Sequence, residues 1–219
     1  MSFRSTKSLL LVSALLLSSA ASADSSFWLG GKIGTLGIGL EGIWRPIRWM
    51  DIRVGGNRYD YKDTGSQAGV NYDATLKLNT YYATANFRFP LSPFRISAGA
   101  FSNKNSVEMI SIDSGSFDIG GVTFTSADVG TLTSETTFDS TSPYLGAGFD
   151  FTMFGKVGMN LDFGVLWQGD PKVSLDATGL LANDPTFLAR LEAERLELQD
   201  EVDPLKAYPV VSIGINFNF

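Results

Sequence analysis

The 219-residue sequence contains no histidine and no cysteine. Without cysteine, the protein has neither a disulfide nor the lipid-attachment residue of a lipoprotein. Without histidine, Ser–His and Cys–His catalytic pairs and histidine-ligated metal sites are excluded. We therefore expect no enzymatic activity, no metal site and no cofactor.

Positive charge and long apolar runs are also scarce. The chain has 17 Lys and Arg against 23 Asp and Glu, a net charge of −6, which argues against nucleic acid as a partner. No segment after residue 23 approaches the roughly 20 apolar residues of a membrane-spanning helix. A membrane location would therefore require a closed β-barrel, in which the sheet itself pairs every backbone polar group.

The N-terminal segment has the pattern of a secretory signal peptide. Arg4 and Lys7 precede the apolar run 9–17, and a small-x-small Ala-Ser-Ala pattern follows. The apolar run is too short to span a bilayer. We therefore predict a signal peptide over residues 1–23 and one exported domain over 24–219.

The rest of the chain is dominated by period-two alternation. In the segment 209–219, apolar side chains from Val211 to Phe219 share one face, and small or polar ones share the other, which is typical of a β-strand. Seven further segments alternate in the same way: 27–34, 36–45, 51–61, 73–89, 94–103, 143–153 and 156–168. The prediction is an all-β fold of eight antiparallel strands. An edge strand of a soluble β-protein is the alternative for the last segment.

Two of these segments are irregular. The apolar parity changes within 73–89, which predicts a β-bulge near 80–82. Lys32 lies on the parity that Leu36 and Ile38 then occupy, so we predict two strands joined by a tight turn near Thr35. A single bent strand over 27–45 is the alternative.

Connection lengths alternate along the chain. Short turns are predicted at 45–48, 90–93 and 154–155, and long connections at about 62–72, 113–141 and 170–206. Small outer-membrane barrels have short periplasmic turns and longer external loops. Eight strands place both chain ends on the periplasmic side, whereas seven strands do not.

The two longest connections contain predicted structure of their own. The alternation over 122–125 predicts a hairpin within 113–141. Asp184 and Pro185 are typical of a helix start, and the helix is predicted over about 183–203, ending before Pro204. Either it acts as a lid or docking element, or it is a solvated helix packed on the barrel rim.

Charged and amide side chains occupy the faces assigned to the barrel interior. This predicted polar network comprises Glu41, Arg45, Arg53, Asn57, Lys77, Arg88, Arg95, Asp150, Asn160, Asp162 and Asn216. The interior of an eight-stranded barrel is just wide enough for its own side chains, so opposite charges are expected to pair there. Carboxylate acid–base chemistry is the alternative role.

Outside the barrel, Asp60, Asp63, Asp73 and Asp113 are candidates for binding divalent cations, with solvated strand ends as the simpler account.

Together these features resemble the small OmpA/OmpX-like outer-membrane barrels of Gram-negative bacteria. Segments 34–41 and 208–214 are also similar to uncharacterised proteobacterial outer-membrane proteins of this size. The resemblance implies an eight-stranded antiparallel transmembrane β-barrel in the outer membrane, with Phe219 as its assembly signal. Expected partners are membrane lipid and lipopolysaccharide, the outer-membrane assembly machinery and periplasmic chaperones, and the expected state is a monomer.

Two functional hypotheses follow. The first is a non-enzymatic barrel that acts in envelope integrity or surface interaction through its external loops. The second is a narrow, porin-like barrel for passage or uptake of a small or apolar solute, gated by the segment 170–206.

Overall fold

The structure is a computed structural model, and it describes residues 26–67, 70–112 and 115–219. The predicted signal peptide lies outside the described residues. The strands are β1 (Ser26–Gly34), β2 (Gly37–Ile47), β3 (Met50–Gln67), β4 (Val70–Arg88), β5 (Phe94–Asn103), β6 (Ser106–Ile112), β7 (Ser116–Ile119), β8 (Val122–Thr125), β9 (Leu132–Thr137), β10 (Thr141–Met153), β11 (Val157–Trp167), β12 (Lys172–Ala177) and β13 (Ala207–Asn218). The helices are α1 (Ser126–Val129), α2 (Pro185–Val202) and a short 3-10 helix (Asp203–Lys206).

Eight antiparallel strands form a ring of pairings. The order is β1, β2, β3, β4, β5, β10, β11 and β13, and β13 pairs again with β1. Short connections near 48–49, 89–93 and 154–156 lie at one end of this ring, which we call the turn end. The opposite end carries the long connections, and we call it the cap end.

The predicted tight turn near Thr35 is confirmed, and the alternative of one bent strand is wrong. β1 and β2 are paired from Ser26–Arg45 to Gly34–Gly37. Gly37 has a φ of 95°, a conformation that glycine adopts without a steric penalty. The turn therefore ends the β1–β2 hairpin at the level of Arg58, the β3 residue that pairs with Ile38.

The predicted bulge near 80–82 is wrong. β3 and β4 pair in continuous register from Met50–Phe87 to Gln67–Val70. Leu78 lies on the same inward face as Tyr82 and is buried like it, whereas Phe87 faces outward. The apolar parity changes because β4 extends beyond the apolar outer surface of the ring. Above that surface, the apolar residues of β4 lie on its inward face.

The predicted loop over 62–72 is also wrong, because the described residues of this range belong to β3 and β4, which pair with each other as far as Gln67–Val70. Local hairpin pairing outweighs the polar character of this sequence. The main irregularity of the ring lies elsewhere, between Trp44 and Ile47, where the β2–β3 register shifts.

Three unpredicted strands extend the sheet to eleven. β6 pairs with the upper part of β4, β9 pairs with β6, and β12 pairs with β9. Upper β3, upper β4, β6, β9 and β12 form the upper sheet, which rises above the cap end of the ring. The prediction of eight strands therefore accounts for the ring and omits this extension.

The long connections fold together above the ring into a body that we call the cap. The predicted hairpin is confirmed as β7 and β8. The predicted helix is confirmed as α2, where the Asp184 side chain accepts hydrogen bonds from the amides of Thr186 and Phe187. The cap has its own buried core, comprising Phe117, Ile119, Val129, Phe187 and Leu191.

The ring has an apolar exterior and a largely polar interior. Outward residues such as Leu40 and Ile38 are 71% and 66% exposed, whereas the inward Arg95 is 1% exposed. This arrangement inverts that of a water-soluble protein and is the pattern of a membrane barrel. None of the described helices is long and apolar enough to cross a bilayer.

Glycines inside the ring make room for aromatic side chains. Gly146 and Gly164 are paired across β10 and β11, and the Tyr144 ring lies over both. A Cβ atom on Gly164 would lie 2.5 Å from Tyr144 Oη. The glycines of these strands therefore have a packing role.

We expect Gly164→Ala to lower the free energy of unfolding by about 1–3 kcal/mol, because the new methyl group overlaps the Tyr144 ring. The measurement is a urea titration in detergent micelles, followed by tryptophan fluorescence. Adding Tyr144→Ala should remove most of this additional cost, which would appear as a favourable coupling energy in a double-mutant cycle.

Gly42→Ala is the matched control, since its Cβ would approach no atom closer than the 3.9 Å to Val54 Cγ2. An equal loss at both glycines would contradict the packing role of Gly164.

Candidate functional site

The interior of the ring contains a buried ionic network, which we call the plug. Its cations are Lys32, Arg45, Arg53, Arg88 and Arg95, and its anions are Glu41, Asp51, Asp150 and Asp162. All of them lie on ring strands, and strand alternation points their side chains inward. The site is therefore built from seven strands of the ring and uses no residue of the cap.

Arg53 forms the centre of the plug. Its Nε donates to Asp51 Oδ1 at 3.0 Å, and its Nη2 donates to both oxygens of Asp150 at 2.9 and 3.0 Å. Its Nη1 lies 3.6 Å from Glu41 Oε1. One guanidinium thus holds carboxylates from three strands, because its planar group presents donors in several directions.

Arg95 is the second centre. Its Nε donates to Asp150 Oδ1 at 3.1 Å, and its Nη2 donates to Asp162. Its Nη1 donates to the side-chain oxygens of Asn86 and Ser97. Asp150 therefore accepts hydrogen bonds from two arginines and links both centres.

Towards the wall formed by β1 and β2, Glu41 joins the network to an aromatic residue. Tyr82 Oη donates to Glu41 Oε2 at 2.9 Å, and Lys32 Nζ lies 4.0 Å from the same oxygen. Lys32 Nζ also lies 3.9 Å from the centre of the Tyr82 ring. This buried lysine is thus stabilised by a carboxylate and by a cation–π contact.

Amide side chains complete the plug. Asn160 donates to Asp162 Oδ2 at 2.9 Å, and Asn216 donates to Asn160 Oδ1 at 3.0 Å. Arg88 Nη1 lies 3.3 Å from Asp150 Oδ2. Burying ions of both signs is tolerable in such a ring because most of their donors and acceptors are paired.

The structure places most of the predicted network in the ring interior, with different roles. Asn57 bonds Thr80 instead of a charge, and Arg45 stacks on the Trp28 ring at 4.4 Å. Lys77 was assigned to the interior and lies outside, where it pairs with Glu108 at 2.8 Å. The wrong assignment has the same cause as the predicted bulge, which shifted the parity of upper β4.

Five residues of the plug and its direct contacts were missed by the sequence prediction: Lys32, Asp51, Tyr82, Asn86 and Ser97. Lys32 carried a usable signal, since a lone charge within an otherwise apolar segment indicates an inward position. Asp51 lies next to a turn, and nothing in its sequence neighbourhood distinguishes it from a solvated residue. Its role depends on Arg53 on the same strand and on Arg88 from β4.

Above the plug, the interior becomes apolar. This second layer contains Leu36, Tyr82, Phe101, Tyr144, Leu166 and Val210. The Phe101 ring centre lies 4.9 Å from that of Tyr82 and 5.2 Å from that of Tyr144. The rings fill the cross-section on the cap side of the charged groups.

A third layer of amides lies nearest the cap end. Gln168 Oε1 accepts from Asn103 and Asn105 at 3.3 and 3.4 Å, and Gln168 Nε2 donates to the Leu205 carbonyl.

Between the first two layers, a cavity in the ring interior has a volume of about 20 Å³. That is room for about one water molecule, so the side chains of these two layers fill most of the space between them.

The structure offers no metal site for the outer carboxylates. No three metal-ligating side chains converge in residues 26–67, 70–112 and 115–219. Asp60 pairs with Arg58, and Asp73 accepts from the Thr64 hydroxyl. The fourth candidate, Asp113, lies outside the described residues.

Solved structures with the same fold come from Acinetobacter baumannii. CarO2 is 21% identical with a TM-score of 0.59, over 90% of this chain and 99% of that one. CarO is 22% identical with a TM-score of 0.56, over 88% and 97% of the two chains. The fold is that of an outer-membrane β-barrel. The predicted class of protein and its location in the bacterial outer membrane are thereby confirmed, whereas the finer likeness to OmpA and OmpX is not established.

No protein-family model and no curated protein sequence matches the chain. The comparisons with these barrels therefore concern the fold, and the role of the protein has to be argued from its own side chains.

We expect Asp150→Asn to destabilise the barrel by about 3–5 kcal/mol, because it leaves buried arginines without their shared carboxylate. The measurement is the free energy of unfolding from urea titrations in lipid vesicles. Asp139→Asn is the control. It removes an exposed pair with Lys172 and should cost about 0–1 kcal/mol. If the two variants lose the same stability, the plug does not hold the strands together.

Proposed function

We propose that this protein is a non-enzymatic, eight-stranded transmembrane barrel that acts at the cell surface through its cap, in surface interaction or envelope integrity. In this orientation the turn end faces the periplasm and the cap end faces outward, as in barrels with short periplasmic turns. The apolar outer face of the ring contacts lipid, and the upper sheet rises among lipopolysaccharide.

The observation that supports this proposal is the packing of the inward side chains in three layers. A solute path would have to cross the ionic plug, the aromatic layer and the amide layer, whereas the interior cavity holds about 20 Å³. Opening such a path would separate Arg53 and Arg95 from Asp150, which is costly for buried ions. A barrel whose interior is packed in this way serves as a scaffold for what it displays.

The cap supports the same proposal because it is a folded body with its own apolar core. Gly120 connects the β7–β8 hairpin to α2, since its amide donates to Glu194 and its carbonyl accepts from Arg190. Such packing fixes the shape of the outer surface. A fixed surface is better suited to specific recognition than a flexible loop, because less has to be ordered on binding.

The second hypothesis, passage gated by the segment 170–206, is less well supported. Helix α2 of this segment packs mainly on β12 and β7, above the ring, and supplies no side chain to the plug. Removing α2 would leave all three interior layers in the ring. Within the described residues, a gate formed by this segment would therefore have no solute path through the ring to open.

We also propose partners for export and assembly. Assembly machinery and periplasmic chaperones would handle the chain during export, with Phe219 as its recognition signal, and the mature barrel would be a monomer. No nucleic acid and no cofactor is involved.

We expect the purified protein in planar lipid bilayers to give no steady single-channel openings at either polarity. A general-diffusion porin in the same bilayer is the positive control. A variant with a short linker in place of α2 should remain equally silent, because the three interior layers stay in place. Steady openings of the intact protein that depend on this segment would favour solute passage and overturn the closed-scaffold proposal.

A further inference from the structure

The long hairpin leaves one side of β3 without a partner strand. β2 begins at Gly37, and its last pair with β3 is Ile38–Arg58. Residues 59–67 of β3 continue above this point, paired with β4 on one side only. Within the described residues, no strand pairs with their other side. At about 3.3 Å per residue, this upper β3 edge is roughly 30 Å long.

The opposite edge of the same upper sheet is covered. On β12, the Val173 amide donates to Gln199 Oε1, and the Val173 carbonyl accepts from Arg195. Gln199 also donates to the Pro171 carbonyl at 2.6 Å. Helix α2 thus supplies side chains that satisfy the backbone groups of this edge.

The upper β3 edge has no equivalent protection in the described parts of the chain. Among its described amides, that of Thr64 donates to a side-chain oxygen, Oδ1 of the neighbouring Asp63, at 3.0 Å. No backbone hydrogen bond joins residues 59–67 to anything beyond β4. An exposed row of backbone donors and acceptors is a template on which another extended chain can pair.

The side chains along this edge define what would pair there. Tyr59 and Tyr61 lie on the inward face, exposed by 43% and 47%, with stacked rings 6.4 Å apart. They offer aromatic surface to every second residue of an incoming strand. Asp60 is paired with Arg58, and Glu108 on β6 is paired with Lys77. Within the described residues, Asp63 and Asp73 are exposed carboxylates without a cationic partner, against the single unpaired Lys62, so negative charge predominates by one carboxylate at this edge.

A second copy of this chain does not fit the edge. Two copies in one membrane are related by an axis along the membrane normal, so their β3 edges would pair in parallel and in register. Rotation about such an axis turns the side chains at one level to opposite faces of the joint sheet, whereas neighbouring strands of a sheet keep them on the same face. The two edges therefore cannot form a regular ladder.

We infer that the upper β3 edge is a strand-addition site for an extended polypeptide segment with alternating apolar and basic residues. Backbone hydrogen bonds hold the segment, its apolar side chains contact Tyr59 and Tyr61, and its basic side chains face the carboxylates. The inference rests on the proposed function, since it names the surface through which the protein interacts.

The test uses the full-length protein in lipid nanodiscs and a fluorescent ten-residue peptide of alternating lysine and valine. Binding is measured by anisotropy, and hydrogen exchange locates the protected amides. A matched peptide carries N-methyl groups on two adjacent central residues, which block both of its edges while its charge is unchanged. We expect the unmodified peptide to protect amides within residues 59–67 and the N-methylated one to bind at least tenfold more weakly.

Protein variants give a second readout. Tyr59→Ala with Tyr61→Ala should weaken binding several-fold, whereas Tyr81→Ala, at an exposed tyrosine on the outer face of β4, should not. The peptide pair keeps the test decisive even if a variant fails to fold, because both peptides are measured on the unaltered protein.

Three outcomes would overturn the inference. Equal affinity for the two peptides would mean charge attraction alone, and protection confined to α2 would place the site elsewhere. Protection of residues 59–67 that depends on protein concentration without peptide would mean that a second copy covers the edge. A silent bilayer recording combined with any of these would leave the closed scaffold standing and remove only the strand-addition site.

Discussion

The rest of the structure depends on neutralising charge inside a narrow ring. Eight strands leave little room for water, so each inward side chain must find its partners among other inward side chains. Arg53 and Arg95 meet this constraint by sharing Asp150, which accepts from both. Because the partners come from separate strands, the network also fixes how the strands are arranged around the interior.

The constraint applies to the ring, and it does not apply to the upper sheet and the cap. Below the cap end, the interior is ionic and the outer face is apolar, since lipid lies outside. Above it, upper β4 brings Leu76 and Leu78 to the inward side, and the cap buries a core around Phe187. One continuous pair of strands therefore serves two environments without a change in register.

The two edges of the upper sheet follow from this division. Strands within the ring have no free edge, since the pairings close on themselves. Where β3 and β4 rise above the β1–β2 hairpin, an edge is created on each side of the sheet. Helix α2 covers the edge at β12, and the edge at β3 is left available to another chain.

The sequence predicted the ring strands, the β7–β8 hairpin and the start of α2 well because each is encoded locally. Period-two alternation, turn residues and the cap at Asp184 depend on neighbouring residues alone. β6 and β9 were missed, since both of their faces are mixed. β12 alternates cleanly but has only six residues and lies within a long connection. Lys77 was misplaced because its face depends on a register that only the pairing with β3 defines.

The sequence by itself determined that this chain forms antiparallel strands with one apolar face, and the absence of histidine excluded the catalytic chemistry that needs it. Only the tertiary structure decided which inward charges meet, how the inward side chains pack in layers, and that the long connections join into one cap. These properties depend on contacts between residues far apart in the chain, such as Arg53 with Asp150, and local patterning carries no information about such distances.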